Sequence, residues 1–126
     1  MLFTQPTYVN SPKSILIADD DVMILDLLSL RFEKCGVKVF TAENGLDAWD
    51  LFTSQKIDFV LTDIQMPGLS GEELSLRIRH RSPLTKIAVM TGGDVDVAAA
   101  LVANGTANFF FTKPFDFDSL FKSISG

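Results

Sequence analysis

Short apolar segments alternate with longer segments of helical periodicity along almost the whole chain. Five apolar runs have the length and composition of β-strands, and they cover residues 15–18, 37–41, 58–62, 87–90 and 109–111. Five further segments repeat their apolar positions at helical spacing, and they cover residues 21–34, 44–54, 71–81, 94–103 and 117–124. The pattern therefore predicts a strand followed by a helix, repeated five times.

Turn residues mark the ends of these segments. Gly36 follows the first helix in the position of a C-terminal cap, and Pro67-Gly68 interrupts the chain before the third helix. Residues 1–13 contain several helix- and strand-breaking residues and are expected to form an irregular arm. Residues 14–126 are expected to form one domain, whose last helix ends so near the end of the chain that a longer natural protein is compatible with the pattern.

Regular alternation of strands and helices predicts parallel strands joined by right-handed crossovers. The first, third and fourth strands are continuous apolar runs, which is typical of strands that have helices on both faces of their sheet. We therefore expect a flavodoxin-like, doubly wound α/β fold, with a five-stranded parallel sheet in the order 2-1-3-4-5 and five helices. In the second helix, Leu46, Trp49 and Phe52 are expected on the buried side.

Composition places the chain among globular proteins. It has 126 residues, of which 47% are apolar, enough for one hydrophobic core and too many for a disordered chain. No apolar run is long enough to span a membrane, and the N-terminus lacks the pattern of a secretory signal. We expect a cytoplasmic protein that does not insert into a membrane. Cys35 is the only cysteine, so an intrachain disulfide is excluded.

The charge distribution argues against direct nucleic-acid binding. The net charge is −5, and the basic residues cluster only at Arg77, Arg79, His80 and Arg81. These four close a predicted helix, where positive charge complements the helix dipole, so an ordinary structural role explains them. His80 is the only histidine, so a metal site in this chain must use mainly oxygen ligands.

Polar residues follow four of the predicted strands, at the sheet edge where open α/β folds bind ligands. They are Asp19, Asp20 and Asp21 after the first strand, Asp63 after the third, Thr91 with Gly92 and Gly93 after the fourth, and Lys113 with Pro114 after the fifth. Each has an ordinary explanation when taken alone; Asp21, for example, is expected to cap the first helix. Their occurrence together at one edge is what indicates a functional site.

The electrostatics of this edge indicate metal-assisted phosphoryl transfer. Asp19, Asp20 and Asp63 repel one another when crowded together, and a hard divalent cation such as Mg²⁺ relieves that repulsion. One carboxylate then remains available as a nucleophile that forms an aspartyl phosphate. Lys113 and Thr91 can contact the transferred phosphoryl oxygens, and positioning and charge neutralisation are most of what this reaction requires.

Four motifs together resemble the response-regulator receiver family of two-component signalling, over about residues 13–124. They are Ile15 to Asp21, Asp58 to Gly68, Met90 to Gly92 and Phe111 to Phe115. The resemblance implies a signalling domain rather than a turnover enzyme, which promotes its own phosphorylation and dephosphorylation. It also implies that Asp63 accepts a phosphoryl group from a sensor histidine kinase or a histidine phosphotransfer protein. A downstream effector or a second copy of the chain is the expected output partner.

The resemblance also implies a role for individual residues. Asp63, Asp20 and the backbone carbonyl of Gln65 would bind Mg²⁺, or Mn²⁺ as a substitute, and Asp19 would act mainly through water. Thr91 and Lys113 would contact the phosphoryl group, and the bond between Lys113 and Pro114 would be cis. Thr91 and Phe110 would form the conformational switch. Gln65 and Gly93 match positions that tune how fast water removes the phosphate, and Gly93 has no side chain, so the phosphate lifetime stays open.

Three alternatives compete with a phosphoacceptor. A phosphatase of the haloacid dehalogenase class requires an aspartate two residues after the nucleophile, where this chain has Gln65. A flavin-binding flavodoxin requires a hydroxyl- and glycine-rich loop after the first strand, where this chain has three aspartates. A receiver-like interaction module that works without phosphorylation remains the alternative function.

The first helix carries two apolar stripes. Leu25, Leu28 and Phe32 form one stripe, which is expected in the core. Met23, Leu27 and Leu30 form a second stripe, expected to be exposed close to the acidic residues, so we predict that Met23 and Leu27, with Ile24 at the edge, contact the histidine donor. The resemblance implies the same surface. The alternative is that residues 1–13 fold back over this stripe. The fourth helix has almost no polar face, which indicates either a partner surface or tight packing on the sheet.

Overall fold

The computed structural model describes residues 12–125, which form ten alternating strands and helices. The strands are β1 Ser14–Ala18, β2 Lys38–Ala42, β3 Phe59–Asp63, β4 Lys86–Thr91 and β5 Phe109–Thr112. The helices are α1 Val22–Lys34, α2 Gly45–Ser54, α3 Gly71–Arg81, α4 Val95–Ala103 and α5 Phe117–Ser125. All ten predicted elements are present, and no bound differs from the predicted one by more than one residue.

The strands form one parallel sheet in the order β2-β1-β3-β4-β5. This confirms the predicted doubly wound topology and strand order. β1 lies next to both β2 and β3, so Ile15 pairs with Val39 on one side and with Phe59 on the other. Because the chain reverses its direction of winding at β1, the loops after β1 and β3 diverge and leave a crevice at the carboxyl edge of the sheet.

Alternate side chains of the strands point to opposite faces and build two separate cores. On one face, Ile15 and Ile17 of β1 pack with a cluster that includes Leu25, Leu28 and Phe32 of α1. The same cluster includes residues of α5, so α1 and α5 cover this face. The other cluster joins the opposite face of the sheet to buried residues of α2, α3 and α4. Coverage of both faces explains why β1, β3 and β4 are apolar throughout.

Side-chain caps fix the N-termini of four helices. Backbone N–H groups in the first turns of α1, α2, α3 and α5 donate hydrogen bonds to the side chains of Asp21, Asn44, Ser70 and Asp116. The expected capping role of Asp21 is therefore confirmed. Asp94 stands at the same position before α4, but its side chain makes no capping hydrogen bond.

The predicted orientation of α2 is wrong at Leu46, whose side chain is 55% exposed. Gly45 and Ala48 are buried on this helix instead, while Trp49 and Phe52 are half-buried against the core. The physical reason is close packing. A Cβ atom at Gly45 would lie 1.9 Å from the backbone oxygen of Leu69, so this side of α2 approaches the neighbouring loop too closely for a large side chain.

The predicted arm at residues 1–13 falls mostly outside the described residues, so its conformation and its proposed cover over α1 stay predictions. Within residues 12–125, no helix combines the length and the apolar character needed to cross a membrane. The basic residues Arg79, His80 and Arg81 lie in the last turn of α3, as the dipole argument predicts. Arg79 does more than expected there, since its guanidinium also donates hydrogen bonds to the loops around β4 and β5.

Candidate functional site

Three carboxylates meet at the carboxyl edge of the sheet. Asp19 and Asp20 follow β1, and Asp63 is the last residue of β3, two neighbouring strands. One oxygen atom from each lies within 4.8 Å of the others. Asp19 is fully buried, Asp20 is exposed and Asp63 is intermediate, so the group extends from the protein interior to its surface. The sheet therefore brings together the three acidic residues that the sequence predicted as neighbours.

Lys113 supplies the positive charge of this site. Its ammonium group donates hydrogen bonds to Asp19 Oδ2 at 2.7 Å and to Asp63 Oδ2 at 3.1 Å. The following bond to Pro114 is cis, as expected. The other oxygen of Asp19 accepts a hydrogen bond from the backbone N–H of Asp21 at 2.9 Å. The buried Asp19 thus has a partner on each oxygen, as a buried carboxylate requires.

Burial and charge shift the proton affinities of Asp63 and Lys113. Burial raises the pKa of Asp63 and the charge of Asp19 adds to this, while the bond from Lys113 partly offsets it. Burial alone would lower the pKa of Lys113, but its hydrogen bonds to Asp19 and Asp63 raise it above the ordinary value. Lys113 therefore stays positively charged, whereas the ionised form of Asp63 is disfavoured. An additional cation at this edge would stabilise the ionised form of Asp63.

The donor set fits a hard divalent cation. All three side chains offer carboxylate oxygens, which Mg²⁺ prefers, and Asp20 is open to solvent, so that a bound ion would keep part of its water shell. The residue after next from Asp63 is Gln65, whose backbone carbonyl the sequence resemblance implies as a further ligand. Among residues 12–125 this is the acidic group with suitable spacing for a metal ion.

Thr91 closes the site on the side of β4. Its side chain is 2% exposed, and its hydroxyl oxygen accepts hydrogen bonds from the backbone N–H groups of Gly93 and Asp94, at 3.1 and 2.6 Å. These bonds hold the β4–α4 loop in the conformation that starts α4. Phe110, on the adjacent strand β5, is half-buried against the core cluster that also contains residues of α4. Thr91 thus acts at the start of α4, and Phe110 packs against the core that includes Ala98 and Leu101 of α4.

A cleft of about 330 Å³ lies over these residues. Its lining includes Asp20, Asp63, Thr91 and Lys113 together with the glycines of the β4–α4 loop. It also includes Gln65 and Asp94, whose side chains are hydrogen-bonded to each other across the cleft. Asp94 was missed from the sequence. Its position at the start of α4 gave only the signal of an ordinary helix cap.

Gly71 is a second residue that sequence reasoning did not assign to the site. It begins α3, and a Cβ atom there would lie 1.8 Å from the backbone oxygen of Asp63. A side chain at this position would therefore displace the turn that carries Asp63. The glycine allows α3 to start directly against the strand end, and its N–H donates to the carbonyl of Ile64 at 2.8 Å.

The second stripe of α1 is exposed, as predicted. Met23 is 81% exposed, Leu27 61% and Leu30 51%. Leu27 and Ile24 also line a groove of about 520 Å³ between α1 and the segment that follows β5. Lys113 lines the same groove, so this apolar surface extends to a residue of the candidate phosphoryl-transfer site.

Comparison with known families agrees with this geometry. The sequence model of the response regulator receiver domain matches residues 15–125. This chain belongs to that family. It is a phosphoacceptor signalling domain of two-component systems, and the membership favours this interpretation over a module that works without phosphate.

Relatives of two kinds match the chain. Sporulation initiation phosphotransferase F of Bacillus subtilis is 36% identical over 109 residues, which cover 86% of this chain and 87% of that protein. Transcriptional regulatory protein GlrR of Escherichia coli K12 is 33% identical over 116 residues, which cover 91% of this chain but 26% of that protein. The chain thus spans about a quarter of the length of this longer curated relative.

Solved structures share the fold over nearly the whole chain. A response regulator receiver domain protein from Clostridium thermocellum has a TM-score of 0.83 at 32% identity, with 88% of this chain and 90% of that chain covered. The response regulator TrrA from Thermotoga maritima, solved in complex with Mg²⁺-BeF, has a TM-score of 0.80 at 34% identity, with 89% and 96% covered.

Proposed function

We propose that Asp63 accepts a phosphoryl group from the phosphohistidine of a sensor kinase or a histidine phosphotransfer protein. The observation that carries this proposal is the position of Asp63 within reach of both Lys113 and the other two carboxylates. Asp63 is more accessible than Asp19, and unlike Asp20 it is bonded to the lysine. It is therefore the carboxylate that combines access with charge neutralisation. The direct test is phosphoryl uptake from a small donor such as acetyl phosphate, with and without Mg²⁺.

The transfer requires one bond to form and one to break. An oxygen of Asp63 attacks the phosphorus, the bond from phosphorus to the histidine nitrogen breaks, and the imidazole leaves with its electron pair. Lys113 faces the phosphoryl oxygens and holds positive charge there, and the hydroxyl of Thr91 donates to one of them. Mg²⁺, or Mn²⁺ as a substitute, would be held by Asp19, Asp20, Asp63 and the backbone carbonyl of Gln65, and it would supply positive charge near the phosphoryl oxygens. The same residues promote hydrolysis, in which water attacks the phosphorus, the bond to the Asp63 oxygen breaks and inorganic phosphate leaves.

The output is a change at α4 and β5. When the Thr91 hydroxyl turns towards the phosphoryl group, it no longer accepts from Gly93 and Asp94, so the start of α4 is released. Phe110 then moves further into the space behind Thr91. NMR shifts around Phe110 and residues 94–103 should change on phosphorylation, and they should stay fixed in Thr91→Ala.

The donor docks on α1. The exposed side chains of Met23 and Leu27, with Ile24 at the edge, form an apolar surface that continues to Lys113 through the groove beside α1. A partner helix that lies on this surface brings its phosphohistidine to Asp63. The stripe contains no charged side chain among its three members, so the contact is mainly apolar.

The output partner is an effector protein, an attached effector domain or a second copy of the chain. The outer side of α4 presents Ala99, Ala100 and Val95 to solvent, beside the segment that the switch would move. The longer relatives include transcriptional regulators, and the activity of a complete protein built on this domain remains part of the proposal. The cytoplasmic location expected from the sequence also stays a prediction.

A further inference from the structure

The side of α2 that faces α3 carries a stripe of large apolar side chains. Leu46, Trp49 and Phe52 are three positions apart from one to the next, so they lie along one side of the helix. Leu46 is 55% exposed. The rings of Trp49 and Phe52 are half-buried and stacked, with their centroids 6.1 Å apart. Residues 12–125 therefore cover this stripe only in part.

Two arginines of α3 stand beside the stripe. The guanidinium carbons of Arg77 and Arg81 each lie 5.9 Å from the centroid of the Trp49 ring, within the range of a cation–π contact. The two arginines are one helical turn apart on α3, so their side chains point to the same side. Both residues are exposed. Trp49 thereby holds two positive charges next to each other at the surface.

Neither arginine has an anionic partner in the part of the chain that the structure describes. The guanidinium groups of Arg77 and Arg81 make no ion pair and donate no hydrogen bond there. Glu73 lies one turn before Arg77 on the same helix, and no ion pair joins the two. Arg79 differs from both, because its guanidinium donates to the loops around β4 and β5. The helix dipole explains a cation in the last turn of α3, but Arg77 lies before that turn.

We propose that Leu46, Trp49, Phe52, Arg77 and Arg81 form a docking surface for an acidic helical segment of a partner protein, here called the α2–α3 surface. Residues one turn apart on a helix have their Cβ atoms about 5–6 Å apart. Two carboxylates at that spacing on the partner helix match the spacing of the two arginines. Each guanidinium can bind a carboxylate through two parallel hydrogen bonds. An apolar side chain on the same side of the partner helix contacts the stripe of α2.

Charge and composition favour a protein partner over a nucleic acid. The chain has a net charge of −5, whereas nucleic-acid sites use an extended basic patch. The α2–α3 surface instead combines an apolar centre with a pair of charges at its edge, which is the arrangement of protein interfaces. Tryptophan and arginine are also the residues that most often contribute the binding energy of such interfaces.

The α2–α3 surface is separate from the surfaces that serve phosphorylation. α2 and α3 cover one face of the sheet together with α4, whereas α1 and α5 cover the other. Among the described residues, those that line the cleft over Asp63 and the groove beside α1 include none of α2 or α3. A partner on the α2–α3 surface thus leaves the cleft and the donor surface free. The inference adds a second protein partner and does not depend on the function proposed for Asp63.

Trp49 is the only tryptophan of the chain, so its fluorescence reports directly on this surface. The ligand for the test is an alanine-based helical peptide with two glutamates one turn apart and a leucine on the same side. The matched control peptide has glutamine in place of both glutamates. The glutamate peptide should change the Trp49 fluorescence saturably. The glutamine peptide should bind at least about tenfold more weakly, because it lacks the charges that pair with the arginines.

Substitutions of the arginines test which groups bind the peptide. Arg77→Ala and Arg81→Ala should each weaken binding of the glutamate peptide about tenfold, the effect of losing hydrogen bonds between charged groups. Arg77→Lys retains the charge but lacks the planar guanidinium, so it should also weaken binding. Lys122→Ala removes an exposed charge on α5, at the opposite face of the sheet, and should bind like wild type.

A pair of leucine variants tests the apolar part of the contact. Leu46→Ala should weaken binding of the glutamate peptide about fivefold, since about half of this side chain is available for burial. Leu30→Ala is the matched control, because Leu30 is 51% exposed and belongs to α1, and it should bind like wild type. Melting temperatures of all variants, measured in parallel, separate loss of a contact from unfolding.

Equal binding of the glutamate and glutamine peptides would overturn the proposal, and so would unchanged affinity in both Arg77→Ala and Arg81→Ala. It would also be wrong if the fluorescence showed no saturable change up to about 1 mM glutamate peptide, the weak end of ordinary affinities. A single-stranded oligonucleotide that binds more tightly than the peptide, through the same two arginines, would identify a nucleic-acid surface instead. None of these measurements involves phosphoryl transfer, so their outcome is independent of the function proposed for Asp63.

Discussion

The ammonium nitrogen of Lys113 lies 2.7 Å from Oδ2 of Asp19, a carboxylate that is fully buried at the end of β1. The same nitrogen lies 3.1 Å from Asp63. Lys113 therefore stabilises two acidic residues at once, and one of them cannot reach solvent. The structural role of this lysine is inseparable from its role towards a phosphoryl group.

Replacing this lysine should destabilise the fold. Lys113→Met keeps much of the side-chain volume but leaves Asp19 buried without its cation, which typically costs about 3 kcal/mol. The free energy of unfolding of the metal-free protein, measured by urea denaturation, should fall by about that amount. Lys122→Met is the matched control, because Lys122 is exposed on α5. If both substitutions lowered the free energy of unfolding equally, the ion pair between Lys113 and Asp19 would not stabilise the fold.

Magnesium should stabilise the folded protein through the acidic cluster. An ion that binds only the folded state raises the melting temperature with its concentration. Asp20→Asn should shift this titration to roughly tenfold higher Mg²⁺, because metal affinity depends on the number of charged ligands. Asp21→Asn removes the same charge one residue along and retains a good N-cap, so its titration should match wild type. Identical titrations for both variants would exclude Asp20 as a ligand.

The stability of the metal-free protein should depend on the protonation of Asp63. Because burial raises the pKa of this carboxyl, the folded protein binds its proton more tightly than the unfolded chain. The stabilising contribution is complete below the ordinary pKa of 3.8 and is lost as the pH rises through the folded-state pKa. Asp63→Asn removes the partly buried negative charge, so it should raise the melting temperature at neutral pH in the presence of a chelator.

That advantage of Asp63→Asn should shrink as the pH falls towards 3.8, where the wild-type carboxyl takes up its proton. Asp26→Asn, at an exposed position of α1, serves as the control and should give no such rise. A wild-type protein that is more stable than Asp63→Asn at neutral pH would contradict the direction of the pKa shift.

The docking surface on α1 predicts different effects with two phosphodonors. Leu27→Asp places a charge in the exposed apolar stripe, so phosphotransfer from the histidine donor should fall by at least about tenfold, the effect of 1.4 kcal/mol of lost contact energy. Labelling by acetyl phosphate should persist, since the cleft itself is unchanged. Leu84→Asp introduces the same charge at a leucine that is 94% exposed and lies before β4.

The Leu84 variant should behave like wild type with both donors. If Leu27→Asp lowers labelling by acetyl phosphate as much as transfer from the histidine donor, then Leu27 supports the fold and is not a docking residue. Melting curves of both leucine variants provide an independent check on that outcome.

The sequence predicted correctly those features of the fold that depend on the local pattern of apolar and polar residues. Continuous apolar strands and helical spacing were enough to predict ten alternating elements and a parallel sheet, whose strand ends bring Asp19, Asp63 and Lys113 to one edge. The orientation of α2 was not predictable, because the exposure of Leu46 depends on how closely Gly45 approaches Leu69, which lies far along the chain.

Two features of the site could also not be predicted from the sequence. Gly71 reads as an ordinary helix start, and only the packed fold shows that its missing side chain makes room for the carbonyl of Asp63. Asp94 reads as a helix cap, and only the structure shows its carboxylate bonded to Gln65 on another loop. Both depend on contacts between residues that the chain pattern does not connect.

The central claim is that Asp63, and neither of its acidic neighbours, carries the phosphoryl group. The chain should be labelled with acetyl phosphate and Mg²⁺, the acyl phosphate trapped by borohydride reduction, and the modified residue located by peptide mass spectrometry. We predict modification at Asp63 in the wild-type protein, none in Asp63→Asn, and none in wild type when a chelator replaces Mg²⁺. Modification at Asp19 or Asp20, or undiminished labelling of Asp63→Asn, would contradict the account.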